Sequence, residues 1–462
     1  MGISRLNKYI DEPVALSPLV GFRILFGAAM VLSTLRFIAL GWIDDHYIRP
    51  LFHFSYFGFS WLPIGPDWFL YLVHGLLLLA SLGVMFGLYY RFAAILQFLC
   101  FTYTELLDLT YYLNHYYYVS LVCLLLIFLP ANRSFSLDVF WRKIQAYSRV
   151  PRWMPFSLMM MMAIVYTYAG LAKINHDWLI EALPLRIWLP ASYNLPILGP
   201  LFAWKYSPWL FSWVGMFYDC TIAFFLWNRK TRPWAYVSVI VFHTLTGILF
   251  QIGVFPLVMM AGTLIFFSPQ WHERWMNALS RSLQSILPKT TIDQSIPSKH
   301  PQPKTTMVHG PWSMVKLVFL LFFCFQVLFP LRYLAYPGNL FWTEEGYRFS
   351  WRVMLVEKAG TAQFYISNGK GGIKGMVDNA LHLNAHQEKQ MSYQPDMLLQ
   401  YADYLHDYYK NTGINDPVVT AEVHVTLNAR PSQLLFDPSI NLAKLNDSWS
   451  TKNWLNPYPW KE

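Results

Sequence analysis

Hydrophobic positions in this chain come in long runs rather than in alternation. A helix that crosses a bilayer needs about 20 largely apolar residues. Nine stretches approach or reach that length: Pro18–Leu40, Trp68–Tyr90, Phe92–Thr110, Tyr116–Pro130, Trp153–Ala172, Pro208–Trp227, Trp234–Phe250, Ile252–Phe267 and Trp312–Leu331. The short pair flanking Gln251 and Gly253 reads either as two spans or as a re-entrant unit, so eight or nine transmembrane helices are expected. After Leu331 the pattern changes. Strand-like stretches at Tyr347–Val356, Ala362–Ile366 and Val418–Leu427 are separated by turns at Gly369, Gly371 and Gly372, with an amphipathic helical stretch from Pro395 to Tyr409. The expected fold is an α-helical polytopic membrane domain over residues 1–335, followed by a strand-rich extracytoplasmic α+β domain over residues 336–462.

Charge orients the spans. Arg5 and Lys8 precede the first run and Arg91 joins the second to the third. Arg133, Arg142, Lys143, Arg149 and Arg152 fill one connection and Arg229, Lys230 and Arg232 another, while Arg274, Arg281, Lys289, Lys299 and Lys304 lie in the polar linker before the last run. With alternating helices all of these fall on one side, which the positive-inside rule makes cytoplasmic. The N-terminus is then cytoplasmic, and the C-terminal domain and chemically richer loops face outward. The basic linker Trp271–Lys304 reads as a solvated cytoplasmic loop.

Composition agrees with this picture. The chain is 55% hydrophobic, 18% aromatic and only 13% charged, against roughly 25% charged for a soluble domain. The net charge of +9 sits in loops between apolar runs rather than on a phosphate-binding face, so nucleic acid is not expected as a partner, whereas membrane lipid is. Cys100, Cys123, Cys220 and Cys324 all lie within apolar runs without metal-ligand spacing, so neither a disulfide framework nor a metal site is expected.

Ionisable residues at membrane depth are costly and point to function. Asp108 and His115 lie seven residues apart and would share a face if the intervening turn stayed helical, with Asn114 either part of that chemistry or a plain helix cap. Tyr166, Gly170 and Lys173 recur at helical spacing, followed by Asp177 and Trp178; the bland alternative for Lys173 is a lysine snorkelling to headgroups. His243 stands alone in an apolar run, where a packing role competes with a functional one. Met159–Met162 point in all directions from a helix and read as core filler.

In these residues the chain resembles the vitamin K-dependent gamma-glutamyl carboxylase family, in its short bacterial form with a horizontally transferred transmembrane domain. The resemblance starts at Gly21-Phe22-Arg23-Ile24-Leu25-Phe26-Gly27. It continues through Leu107-Asp108, Asn114-His115, Ala169-Gly170-Leu171-Ala172-Lys173 and Asp177-Trp178. It returns from His243 to Phe255, at Ser268-Pro269-Gln270-Trp271, from Tyr347 to Trp351 and at Phe436-Asp437-Pro438. The cysteines that form a lumenal disulfide in vertebrate members have no counterpart here.

The resemblance implies a gamma-glutamyl carboxylase coupled to quinol epoxidation. A reduced vitamin K-type naphthoquinone (phylloquinone or menaquinone hydroquinone) would be deprotonated and react with O2 to give a strong base and an epoxide. The base would take a glutamate γ-proton, and the carbanion would capture CO2. By resemblance Lys173 starts the reaction as a base and His115 lies in the active site. Arg186 would hold the glutamate carboxylate of a peptide or protein substrate on the extracytoplasmic side. Asn114 and His243 would assist binding, and Asp108, Tyr166, Asp177 and Trp178 would support them. A lysine acts as a base only when neutral, and an apolar surround favours that form. Two alternatives stand beside this one: a quinol epoxidase without carboxylation, and a non-catalytic lipid-binding or receptor protein on the same scaffold. In a bacterium the expected location is the inner, cell membrane.

Overall fold

A computed structural model describes residues 3–250, 252–286, 312–368 and 375–460. Every apolar run contains a helix: α1 (Ser17–Ala39), α2 (Asp67–Phe86), α3 (Tyr90–Leu106), α4 (Asn114–Phe128), α5 (Trp153–Ala172), α6 (Ser207–Trp227), α7 (Arg232–Leu249), α8 (Phe255–Thr263) and, after an amphipathic α9 (Pro269–Ile286), α10 (Trp312–Leu328). Proline stands in the first turn of α1, α6, α7 and α8, where its missing N–H costs nothing and its fixed φ suits a helix start. Among the described residues five helices are long and apolar enough to cross a bilayer: Ser17–Ala39, Asp67–Phe86, Trp153–Ala172, Ser207–Trp227 and Ser313–Ala335. Two shorter apolar helices cover Asn114–Phe128 and Phe255–Phe266. Of these, α5 is central, with 67% of its apolar window buried, and the last is peripheral, with 17%. This is a membrane protein.

Three expectations are corrected. The segment between α3 and α4 does not stay helical: Asp108 is extended (φ −147°) and starts a short 3-10 turn at Leu109–Tyr111, so Asp108 and His115 share no helix face. Asp108 instead satisfies its carboxylate locally, accepting from the backbone N–H and hydroxyl of Thr110. The stretch Tyr347–Val356 forms no strand. Phe349, Trp351 and Met354 all have positive φ, at 58°, 58° and 51°, and this twisted strap drives Trp351 into the membrane core, where it stacks on Tyr117 at 4.9 Å. The start of the basic linker is not a loop but helix α9, whose His272 packs fully buried against Gly21 of α1. The linker beyond Ile286, the glycines Gly369, Gly371 and Gly372, and Gln251 lie outside the described residues.

The C-terminal region builds on a four-stranded antiparallel sheet from β1 (Lys358–Ser367), β2 (Gly375–Met376), β3 (Val418–Leu427) and β4 (Gln433–Leu434), in the order β2-β1-β3-β4. β1 and β3 pair along their whole length, from Lys358 opposite Leu427 to Ser367 opposite Val418. After α11 (Ala385–Met391), capped by Asn384 and Gln387 in reciprocal hydrogen bonds, α12 (Pro395–Asn411) covers the sheet. Its Leu398, Tyr401, Ala402 and Leu405 form a buried stripe at helical spacing. Phe54 and Tyr56, from the loop between α1 and α2, complete this second core. Gln400 fixes them there: its side chain accepts from the backbone N–H of Ser55 at 2.9 Å and donates to the Ser55 carbonyl at 3.0 Å.

Candidate active site

The site begins with a glycine. A Cβ at Gly170 would lie 2.6 Å from both the backbone N and the Sγ of Cys220, so only glycine lets α5 and α6 approach so closely. That approach brings the C-terminal end of α5 beside Asp219 on α6. Lys173, the first residue after α5, is buried and donates from Nζ to Asp219 Oδ2 at 2.8 Å and to the Ala169 carbonyl at 3.2 Å. The ammonium lies 5.3 Å from the ring centroid of Trp178. Trp178 is positioned from both ends: its backbone N–H donates to the Asn175 side chain, which caps a short helix, and its Nε1 donates to the Ser212 carbonyl at 2.9 Å. A lysine snorkelling to headgroups would be exposed. This one is enclosed and paired.

Lys173, Asp219 and Trp178 line a cavity of about 320 Å³ between α5, α6, α7 and α8, roofed by Leu185, Trp188, Val353 and Met354. A second polar point is Tyr166 with His243, whose hydroxyl and Nε2 are hydrogen-bonded at 2.9 Å, and Ser238 and Thr246 also line the wall. The rest of the wall is almost wholly apolar, with Val165, Phe211, Leu245, Leu249, Phe255 and Met259 among its residues. An apolar cavity with a few convergent polar groups is the usual form of a small-molecule site.

Of the residues picked out from sequence, Lys173, Tyr166, Trp178 and His243 line this cavity together. His115 lies just behind it, its ring stacked at 4.6 Å on Phe255, whose ring is also 6.2 Å from that of His243. Asn114 turns away, donating at 2.8 Å to the Arg352 carbonyl and so holding the strap that carries Val353 and Met354. Asp177 clasps the C-terminal region through a bidentate pair with Arg430, at 2.6 and 2.8 Å, and through Asn428 at 2.7 Å. Burial pushes the Asp177 pKa up, but those hydrogen bonds and the Arg430 charge outweigh it and leave the carboxyl below its ordinary value. Asp108 is buried outside the cavity, with His53 at 3.1 Å and Gln387 donating at 2.8 Å. Arg186 is also outside it, exposed on the short helix Leu185–Trp188, 3.5 Å from Glu181 and over the Trp209 ring at 5.4 Å, although its neighbours Leu185 and Trp188 line the roof.

Asp219 was not singled out from sequence. Its signal was present: a lone carboxylate inside an apolar run calls for a partner, and Lys173 is the cation at the end of the adjoining run.

Two family descriptions match the chain. The HTTM domain covers residues 11–271, and the lumenal domain of vitamin K-dependent gamma-carboxylase covers residues 312–461. No solved structure matches it.

Proposed function

The chain belongs to the vitamin K-dependent gamma-carboxylase family, and from that premise we propose that its cavity is the active site of a gamma-glutamyl carboxylase with coupled quinol epoxidase activity. The observation that carries this reading is the Lys173–Asp219 pair, buried at 2.8 Å in the wall of an apolar cavity. A reduced naphthoquinone, when bound, supplies with O2 the oxidative chemistry that yields an epoxide and a base strong enough for a glutamate γ-proton, and CO2 completes the product.

The residues of the chain bind, orient and move a proton. Lys173 Nζ takes the proton of a quinol hydroxyl. The pair rests as ammonium and carboxylate. Passing that proton to Asp219 Oδ2, 2.8 Å away, leaves the amine that takes the quinol proton, and Coulomb attraction then favours the new ammonium beside the quinolate in a medium of low dielectric. Asp219 Oδ2 and the Ala169 carbonyl fix the direction of Nζ, and the Trp178 ring covers it. Tyr166 and His243 bind the second oxygen. His115 contributes at the same oxygen, which requires the Phe255 ring between it and the cavity to turn aside. The apolar walls keep water from the strong base.

The glutamyl peptide or protein approaches from outside through the roof, where Arg186 takes its carboxylate. The exposed Arg186–Glu181 contact is worth ~0–1 kcal/mol, so it yields readily to a bidentate partner. Residues 1–335 are assigned to the catalytic membrane domain and residues 336–462 to an extracytoplasmic domain, in a cell membrane with the N-terminus cytoplasmic and the cavity opening outward. Incubation of the purified chain with reduced phylloquinone or menaquinone, bicarbonate and glutamyl peptide tests the reading by mass spectrometry. A glutamate gaining the mass of CO2 together with quinone epoxide is expected; epoxide alone would remove carboxylation, and neither product would remove the enzyme.

A further inference from the structure

The strap from Tyr347 to Val356 borders two cavities of opposite character. Val353 and Met354 line the apolar one beside Lys173. Tyr347, Arg348 and Val356 line a second, of about 300 Å³, together with Tyr112, Lys389 and Gln390, and its lining is mostly polar. Among the described residues the strap is the segment that contributes to both. A polar cavity of that size takes water, whereas an apolar one favours staying dry. The strap is gripped at two points by one hydrogen-bonded chain from the segment that leads into α4. The Phe349 N–H donates to the Tyr112 hydroxyl at 2.7 Å, and that hydroxyl donates to Asn114 Oδ1 at 3.0 Å. Asn114 Nδ2 then donates to the Arg352 carbonyl at 2.8 Å, so the chain begins and ends on the strap. Tyr112 both accepts and donates within it, which a phenylalanine cannot do. Phe349 and Trp351, between these two points, both stand at φ 58°, a left-handed conformation that non-glycine residues keep only where their surroundings impose it. The Trp351 ring fixes the middle of the strap on Tyr117; the backbone on either side is set by this chain. Released at Phe349 and Arg352, the strap loses the hold immediately before Val353 and Met354.

We propose that Tyr112 is a positioning residue that keeps the strap closed as a partition between the polar and apolar cavities, and so couples epoxide formation to carboxylation. The inference rests on the reading of the apolar cavity as the site where a quinol yields a strong base. Behind an intact partition that base takes its proton from glutamate. With the partition loosened it takes one from water instead: the proton passes to the base, hydroxide is left, the glutamate keeps its γ-proton and no CO2 is captured. Epoxide still forms, so each wasted turnover shows as epoxide without carboxyglutamate. Tyr112 lies outside the apolar cavity and acts through the strap.

The test uses the full chain in lipid nanodiscs with reduced phylloquinone, bicarbonate and a glutamyl peptide, and counts epoxide formed per carboxyglutamate. Tyr112→Phe removes the hydroxyl and keeps the ring that packs on Phe349 at 4.9 Å. Asn114→Asp is a second break: it still accepts from Tyr112 but cannot donate to the Arg352 carbonyl, and a carboxylate suits the start of a helix. Each variant is expected to raise the ratio of epoxide to carboxyglutamate about tenfold, the scale of one buried hydrogen bond left unmade. Amide hydrogens of the strap, read by exchange mass spectrometry, should also exchange about tenfold faster. Faster exchange with an unchanged ratio overturns the coupling role, as does an equal fall in both products. Unchanged exchange overturns the hold itself, whatever the ratio. An unaltered protein that makes epoxide but no carboxyglutamate has no coupling to lose and overturns this inference alone. One that makes no epoxide overturns the quinol reading, and the coupling with it.

Discussion

Removing the Lys173 side chain alone leaves the Asp219 carboxylate buried without its cation, a loss of the kind that costs about 3–5 kcal/mol. Lys173→Ala is therefore expected to abolish epoxide formation and also to lower the melting temperature. The double variant Lys173→Ala/Asp219→Ala should recover much of the stability and none of the activity. A double variant that still makes epoxide would make the pair structural. At Arg186 the expected effect is kinetic: Arg186→Gln raises KM for a glutamyl peptide roughly tenfold, in line with one lost charge-assisted contact, and leaves KM for the quinol alone. Lysine there restores only part of it, because a single ammonium lacks the guanidinium fork. Equal effects on both substrates would move the glutamate anchor to Arg352 or Lys358. At this scale the sequence displayed Lys173, Tyr166, Trp178 and His243 as a set, because each is polar or amphipathic in an apolar setting. It hid the placement of Asn114, which depends on how the C-terminal strap crosses the loops, and of Arg186, which turns to Glu181 and the Trp209 ring outside the cavity.

Elements were legible wherever burial follows a local period. The nine apolar runs are all helical, and the stretches at Ala362–Ile366, Val418–Leu427 and Pro395–Tyr409 fall on β1, β3 and α12. The strap at Tyr347–Val356 mimicked a strand because its apolar and polar residues alternate, but that alternation reflects Trp351 anchoring in one core and Arg348 pairing with Asp396 in the other. The Asp177–Arg430 clasp ties the loop after α5 to the end of β3. Its depressed carboxyl pKa means that the stabilisation is complete above the ordinary aspartate value of about 3.9 and is lost as pH falls through the lower folded value. The melting-temperature difference between the unaltered protein and Asp177→Asn should thus stay constant from about pH 8 to pH 5 and shrink below about pH 4. A difference that changes across neutral pH would show the clasp titrating through another group.

The whole molecule presents basic loops on one side and the cavity roof on the other. A cysteine at exposed Ser450 is expected to react with an impermeant maleimide on intact cells, and one at exposed Lys230 only after permeabilisation; the reverse pattern would turn the roof inward. Its two largest hydrophobic cores are not consecutive in the chain. Phe54 and Tyr56 belong to the C-terminal core and Trp351 to the membrane core, an exchange that no local pattern announces. The exchange also sets a timetable for synthesis. Ser55 and its partner Gln400 are separated by 345 residues, which a ribosome making about 5–20 residues per second takes roughly 17–70 s to supply. For that interval the aromatic loop Phe52–Tyr56 has left the translation machinery with the core that will shelter it still unmade. The nascent protein must therefore keep a greasy, unpaired segment from mispairing until almost its last residues emerge.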